Sequence, residues 1–315
     1  MDLSSAFNTI LPDRLVFKLT NLGLPLNTCT WIKDFLSDRP QRVRVGSHTS
    51  TALRLSTGSP QGCVLSPLLY SLYTHDFIPV HHSNDIIKYA DDTTVVGRIL
   101  GGDETAFREE VEQLSKQCKA NNLLLNQLKT REVIIDFRRK KTAIQPLLID
   151  GGCVERVAAF CFLGVHIQDD LSWRTTTAII KKAQQRLYFL RVLRNYHLRE
   201  ELLVTFYRCS VESIITYCIC VGFSSCTAAE RKALQQVVNS AQKIIGCPLP
   251  SLEELYNTRC LKKATKISKD PTHPGYEHFV LLRSGKRFRT MAARTNRLVS
   301  SFYPRAIQVL NVANT

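Results

Sequence analysis

The feature that most restricts how this chain can fold is a pair of adjacent carboxylates inside an apolar run. The stretch reads Ile87-Lys88-Tyr89-Ala90-Asp91-Asp92-Thr93-Thr94-Val95-Val96, with Gly97 beyond. Apolar and β-branched residues on both sides predict a strand, a tight turn at Ala90-Asp91-Asp92 and a second strand. Two neighbouring acids repel each other and are costly to desolvate, so a fold needs a reason to hold them together. From the residues alone two readings stand: an acidic turn of the ordinary kind, or carboxylates that hold a divalent cation.

The remainder of the chain supplies context. With 315 residues, 44% of them hydrophobic, it can build one large core or two smaller ones. A net charge of +15 and a sequence pI near 9.4 point to a polyanionic partner, nucleic acid or an anionic membrane. The longest uncharged run, Ser213 to Ala229, is too short and polar to span a bilayer, so no membrane partner is expected. The amino-terminal residues carry no signal-peptide pattern, and an intracellular location, cytoplasmic or nuclear, is expected. Eleven cysteines at irregular spacing, with no C-x-x-C pair, read as reduced thiols. Cys218-x-Cys220, with Cys209 and Cys226 nearby, is a poor zinc pattern.

Periodicity places the elements. Leu15, Leu19 and Leu22 predict a helix from Pro12-Asp13 to Gly23, and a second helix is expected over Thr28–Leu36. Strict alternation in Gln41-Arg42-Val43-Arg44-Val45 predicts a strand, paired with Ser50–Leu55 through Gly46–Thr49. The small-residue loop Thr57–Cys63 runs into a helix over Val64–Phe77 with Leu65, Leu68, Leu69 and Leu72 on one face. Such a junction exposes backbone N–H groups that suit phosphate, although most are simply helix starts. Asp103 should cap a helix bearing Phe107, Val111, Leu114 and Cys118. Strands are expected at Val133–Phe137, Leu147–Ile149 and Phe160–Ile167. The basic run Arg138–Lys141 is a solvated loop or a phosphate contact.

From Ser172 the pattern turns helical. Ile179, Ala183, Leu187, Leu190 and Leu193 mark one helix, Leu198–Tyr217 a second, and capping boxes at Thr227-x-x-Glu230 and Ser251-x-x-Glu254 start two more. Between Leu261 and Arg305 eleven Lys or Arg face only Asp270 and Glu277, a balance of 11 − 2 = +9. Arg283, Lys286, Arg287 and Arg289 form its densest part. They should grip phosphate without regard to sequence, with Phe288 and Phe302 free to stack on unpaired bases.

Four features then fall in order: Asp2-Leu3-Ser4-Ser5-Ala6-Phe7, Ser59-Pro60-Gln61-Gly62, Tyr89-Ala90-Asp91-Asp92, and the turn Asn126–Thr130 ahead of a strand. Together with the segments 279–289, 295–297 and 301–304, they resemble the reverse transcriptases of non-LTR (LINE-type) retrotransposons over nearly the full chain. The resemblance implies an α+β fold: a truncated polymerase palm, an antiparallel sheet with packed helices, then an all-helical thumb and a basic tail. The implied divisions are palm over 1–137, palm-edge strands over 138–170, thumb over 171–247 and tail over 248–315.

The implied function is RNA-directed DNA polymerisation on an RNA template and a DNA primer, from deoxynucleoside triphosphates, with two Mg2+ ions. Asp2 and Asp91 would bind metal, with Asp92 a weaker third acid. Phe7 would close the sugar pocket against a 2′-hydroxyl, Gln61 and Gly62 would line the nucleotide pocket, and Lys129 would lie near the triphosphate. Leu163-Gly164 would belong to the primer grip. The family's fingers precede the first aspartate, so the chain resembles a carboxyl-terminal piece, expected to be inactive alone, and Asn8 stands where many relatives carry Asp.

Two alternatives remain at this stage. One is a catalytically dead remnant that still binds nucleic acid. The other follows from Leu171–Leu198, which resembles a short amino-terminal segment of the AlkB-type tRNA-modifying oxygenase and methyltransferase family. That family's His-x-Asp iron pair and glycine-rich methyl-donor loop are absent from the sequence. The sequence sets no oligomeric state.

Overall fold

The structure, a computed structural model, describes residues 1–139, 143–171 and 176–313. Lys140 and Lys141 of the basic run, and Ser172 at the start of the helical pattern, lie outside the described residues. The fold is mixed α+β and divides into two compact units, Met1–Phe160 and Cys161–Thr315.

In the first unit, helices α1 (Pro12–Asn21), α2 (Leu26–Leu36), α3 (Leu65–Tyr73) and α4 (Thr105–Ala120) surround a core. Its buried members include Leu3, Ile10, Leu15, Leu19, Ile32, Leu36, Leu69, Tyr70, Tyr73, Leu114 and Leu123. Pro12 opens α1 where a missing N–H does no harm. The N-cap of α4 is Glu104 rather than the expected Asp103, which stands one residue earlier and whose Oδ1 accepts the Thr105 N–H at 2.9 Å. On α3 the buried face is Ser66, Leu69, Tyr70 and Tyr73, rotated from the leucine stripe, and Leu68 is exposed. Tyr73 decides that rotation, because its hydroxyl donates to the Asn121 carbonyl at 2.7 Å inside the core.

The strands are short. Asn84–Tyr89 and Asp92–Gly97 form the hairpin read from the sequence, and Asp92 belongs to its second strand, opposite Tyr89, leaving Ala90-Asp91 as the turn. The single strand expected over 41–45 is instead two pieces, Arg39–Gln41 paired with Leu53–Leu55 and Arg44–Val45 paired with His48–Thr49. The strand expected at Val133–Phe137 is displaced to Arg131–Glu132, which pairs in parallel with Glu155–Arg156. Salt bridges Arg131–Glu155 and Arg156–Glu132 bind that pair, whereas Ile135 and Phe137 stay exposed. Leu148–Ile149 pairs with Gly152–Cys153 across an Asp150-Gly151 turn in which both residues have positive φ.

The second unit is mainly helical: α5 (Thr176–Asn195), α6 (Glu200–Tyr207), α7 (Ser213–Ile215), α8 (Ile219–Gly222), α9 (Ala228–Ile245), α10 (Leu252–Ser268), α11 (Asn296–Val299) and α12 (Phe302–Ala313). The one helix expected over Leu198–Tyr217 is interrupted by a π-helical turn at Arg208–Glu212. Leu203, Tyr207, Val211 and Ile215, all buried, recur every four residues. An α-helix of 3.6 residues per turn would rotate such a series off the core, and one wider turn corrects the drift. Both capping boxes form, with Glu230 N–H to Thr227 Oγ1 and Glu254 N–H to Ser251 Oγ at 3.2 Å each.

Phe279, Ala264, Ile267, Ala306, Ile307 and Leu310 make a second small core between α10 and α12. Phe288 packs edge-on to Phe279 with ring centroids 6.0 Å apart, and Phe302 packs against both cores. Both rings are thus partly buried, each with one side packed against a core. Among the described residues no single helix is long and apolar enough to cross a membrane. The bent pair Glu200–Ile215 and Ile219–Ser225 meets that length and composition only jointly, and its apolar residues line the helical core.

Candidate active site

Residues 1–10 form the spine on which the other sequence features hang. Met1 exchanges backbone hydrogen bonds with Thr93, N to O at 2.6 Å and O from N at 3.3 Å. On the other side Leu3 and Ser4 pair with Leu125 and Leu124. This register sets Asp2 beside Asp92 at the closed end of the hairpin, next to the Ala90-Asp91 turn. The Met1 amino group, depressed by burial, feels the opposing pull of the Asp92 and Asp2 charges.

Asp2 also organises the Asn126–Thr130 turn through its backbone. Its carbonyl accepts the Asn126 N–H at 2.9 Å and its N–H donates to Thr130 Oγ1 at 3.3 Å. The buried Thr130 hydroxyl donates in turn to the Asn126 carbonyl at 2.8 Å. The turn delivers Lys129, whose Nζ lies 3.7 Å from Asp2 Oδ2 while the side chain remains largely in solvent.

The Ser59–Gly62 loop is bound to the same spine. Gly58 N–H donates to the Ile10 carbonyl at 2.7 Å and Ser59 N–H to the Phe7 carbonyl at 2.8 Å. Gly58 has φ +74°, and a Cβ there would sit 2.7 Å from Asn8 Cα and 2.8 Å from the Phe7 carbonyl oxygen. Only glycine meets both demands. Gln61 Nε2 donates to Asn8 Oδ1 at 3.2 Å, and Gly62 is exposed at φ +81°. Ser59 Oγ is buried with no hydrogen-bond partner among the described residues.

Phe7, half-buried, packs on Tyr70 of α3 with ring centroids 5.0 Å apart. Burial raises the Tyr70 phenol well above its usual range, with the Cys118 and Asp91 charges adding to the effect. Tyr70 is thereby a neutral hydroxyl close to Asp91. Sequence reading missed it, as it missed Gly58 and Thr130. The only signal for Gly58 was its place in a small-residue loop.

The hairpin is anchored at its base by residues that the sequence did not single out. Glu110 of α4, 1% exposed, accepts the Val80 and His81 N–H groups and the Asn84 side-chain amide at 3.0–3.2 Å. Lys88 Nζ donates to the Thr74 carbonyl and lies over the Phe77 ring. Lys18 Nζ, also beside Phe77, donates to the Tyr73 carbonyl at 2.6 Å and to Asp76 Oδ1 at 2.7 Å. Both ammonium groups sit at the carboxyl end of α3, where the helix dipole favours positive charge. Burial lowers the Lys18 amine, and its bond to Asp76 works against that shift.

The carboxylates of Asp2, Asp91 and Asp92 are hard oxygen donors at one end of two neighbouring strands. Among the described residues no group of three or more His, Cys, Asp or Glu side chains is arranged to hold a metal ion by itself. Magnesium is commonly held by one or two carboxylates together with substrate phosphates. The donor set therefore fits an ion completed by substrate, rather than a closed protein cage.

The family described as "Reverse transcriptase (RNA-dependent DNA polymerase)" matches residues 1–167, more than half of the chain and all of the site above. The chain belongs to the reverse transcriptase family. It is 28% identical over 206 residues to the "Probable RNA-directed DNA polymerase from transposon BS" of Drosophila melanogaster, covering 62% of this chain and 22% of that protein. It is 24% identical over 288 residues to the "RNA-directed DNA polymerase from mobile element jockey" of the same species, covering 85% of this chain and 30% of the relative. The corresponding X-element polymerase is 27% identical over 179 residues, 55% of this chain and 19% of that one. The chain thus spans under a third of each of these retrotransposon polymerases.

Residues 173–213 match a second family, "Alkylated DNA repair protein alkB homolog 8, N-terminal". In this chain the described part of that segment includes α5, α6 and the π-helical turn, which pack in the helical core. The comparisons favour neither the AlkB-type alternative nor the catalytically dead one.

The remaining candidate residues belong to the second unit. Leu163-Gly164 is the two-residue turn, φ 47° and 79°, between strands Ala159–Phe162 and Val165–Gln168. The Tyr217 hydroxyl donates to the Leu163 carbonyl at 2.5 Å. Arg283, Lys286, Arg287 and Arg289 are exposed on a loop closed by the Leu281–Phe288 bridge. Its base is tied to α12, where Phe288 N–H donates to Asn311 Oδ1 at 2.7 Å.

Proposed function

We propose that this chain is the palm and thumb portion of a non-LTR (LINE-type) retrotransposon reverse transcriptase, extending a DNA primer on an RNA template within the cytoplasm or nucleus. The observation that carries the reading is the meeting of three distant segments on residues 1–10, each held there by backbone hydrogen bonds or strand register. In this reading Asp2 and Asp91 hold two Mg2+ ions, with Asp92 a third acid nearby. The ions would supply charge stabilisation for the attacking and leaving oxygens of an in-line displacement.

The chain's own residues do the positioning. Phe7, backed by Tyr70, walls the sugar site against a 2′-hydroxyl, and Gln61 and Gly62 line the base side of the same pocket. Lys129, already paired loosely with Asp2, transfers its charge to the triphosphate when substrate arrives. Leu163-Gly164 orients the primer end, and Arg283, Lys286, Arg287 and Arg289 neutralise phosphates. Residues 1–137 act as palm, 138–170 as palm edge, 171–247 as thumb and 248–315 as a basic phosphate-binding segment. The polymerases matched are several times longer, and extension is proposed to need sequence of theirs beyond the matched span.

The test is primer extension on a primed RNA template, with the chain joined to the segment that precedes the matched span in the jockey polymerase. Extension that requires Mg2+ and is abolished by Asp91→Asn is expected. No extension from the joined protein, or extension untouched by Asp91→Asn, would overturn the assignment.

A further inference from the structure

The alternating segment after α2 predicts a strand, and all residues from 40 to 54 are exposed. Val43 is 60% exposed, Val45 73% and Leu53 66%, and none contributes to any core. The segment is a two-stranded ribbon in two pieces, Arg39–Gln41 with Leu53–Leu55 and Arg44–Val45 with His48–Thr49. The Ser50 N–H to Val43 carbonyl bond at 2.9 Å joins them. A two-stranded ribbon with no covering layer is marginal in water, so this one is suited to gaining a partner.

Its chemistry specifies that partner. Between Arg39 and Leu55 there are four arginines, one histidine and no acid. Arg39 is committed to the Leu36, Thr57 and Gly58 carbonyls, and Arg54 pairs with Asp38. Among the described residues neither Arg42 nor Arg44 is paired with an acid, and Arg44 donates only through Nε, to the Gly46 carbonyl at 3.1 Å. Arg42 and Arg44 lie two residues apart, and side chains at that spacing on extended backbone share a face and recur about every 6.8 Å, close to the step between consecutive phosphates of an extended strand. Val43 and Val45 alternate with them in the sequence. A bilayer taking the valines would turn the arginines towards water, and a second ribbon would bring like charges together.

The geometry points to the ribbon 39–55 as a nucleic-acid contact in which Arg42 and Arg44 neutralise backbone phosphates of a single strand, remote in sequence from the carboxylate site. It rests on the nucleic-acid-handling part of the polymerase reading and not on catalysis.

The experiment titrates the full chain against a labelled oligouridylate across a salt series, with EDTA and no triphosphate. Each phosphate contact on a single strand contributes about 0.7 to the slope of log affinity against log salt, so Arg42→Ala with Arg44→Ala should flatten it by about 1.4. The paired Lys substitutions should keep the wild-type slope, because the charge survives. An unchanged slope in the alanine pair, or a Lys pair as weak as the alanine pair, overturns the proposal. So does a wild-type mass of two chains that Val43→Thr with Val45→Thr returns to one. Binding to phosphatidylserine vesicles that the alanine pair loses, while RNA binding persists, overturns it too. The assay is blind to catalysis, so failure of primer extension leaves this contact standing, and an unchanged slope leaves the polymerase assignment standing.

Discussion

Two hairpins in the first unit are both legible in the sequence and end in opposite states. Alternation over Gln41–Val45 predicts the ribbon, and apolar and β-branched residues flanking Ala90-Asp91-Asp92 predict the hairpin. The hairpin is held at its base by Glu110, along one strand by Lys88, and at its tip by Met1. The ribbon is exposed throughout its outer length and rests on none of the cores. Even their turns differ: Gly46 takes the positive φ of 60° in the ribbon, whereas Ala90 takes 51° in the hairpin. A left-handed conformation costs a non-glycine residue about 1–2 kcal/mol. The lesson is that a local sequence pattern specifies a strand but not what covers it. Where long-range anchors exist, the fold can hold a strained turn and a cluster of acids; where they are missing, only a ligand can order the surface.

The largest expected effect breaks the anchoring. Glu110→Ala would remove the acceptor of the part-buried Val80 and His81 N–H groups and one of the two acceptors of the buried Asn84 amide, and stability to urea should fall by about 2 kcal/mol. On the ribbon, Val43→Thr with Val45→Thr should change stability by less than about 0.5 kcal/mol, as at other exposed sites. Equal losses at the two sites would erase the contrast.

A smaller effect tests the turn. Ala90→Gly should relieve the left-handed strain and raise stability by about 1 kcal/mol, while loosening the hold on Asp91 and slowing primer extension in the joined protein. A gain in stability with extension unchanged would show that Asp91 needs no such restraint.

The smallest is a pH effect at the hairpin Leu148–Cys153. Asp150 Oδ1 accepts from Lys119 Nζ at 2.6 Å and from Ser115 Oγ at 3.0 Å, and the Lys119 bond foremost holds its carboxyl below the usual range. Between the folded and unfolded values the unfolded chain binds more protons. The contribution is therefore complete above about pH 3.9 and is lost as pH falls through the lowered folded value. Lys119→Met should remove that part of the acid dependence and leave the neutral-pH fold intact by circular dichroism.

What the sequence revealed divides along the same line. Local signals were readable: the Thr227 and Ser251 capping boxes, Pro12 at the start of α1, the Asp150-Gly151 turn and the hairpin itself all depend on residues within a few positions. Long-range commitments were not. The Lys18 amine and its Tyr73 carbonyl are 55 residues apart, and nothing near Glu110 announces a buried carboxylate with three donors. Asp2 is a lone acid in its own neighbourhood, and resemblance alone singled it out. The strand expected at Val133–Phe137 went to Arg131–Glu132 because the charged pairs, not the apolar run, find partners in Glu155 and Arg156. The basic surroundings of Phe288 and Phe302 gave no sign that both rings also pack against the core of α10 and α12.

The central claim is that Asp2 and Asp91 serve one metal site. Mn2+ binding followed by electron paramagnetic resonance, with a deoxynucleoside triphosphate present, tests it most directly. Asp2→Asn and Asp91→Asn should each weaken binding by at least about tenfold, the scale already reached by outer-shell partners of metal sites. The double substitution should weaken it little beyond either single one, a coupling within the range of about 0.5–3 kcal/mol found for residues that share a site. Losses that simply add, or an Asp2→Asn protein that binds Mn2+ like the wild type, would contradict the account.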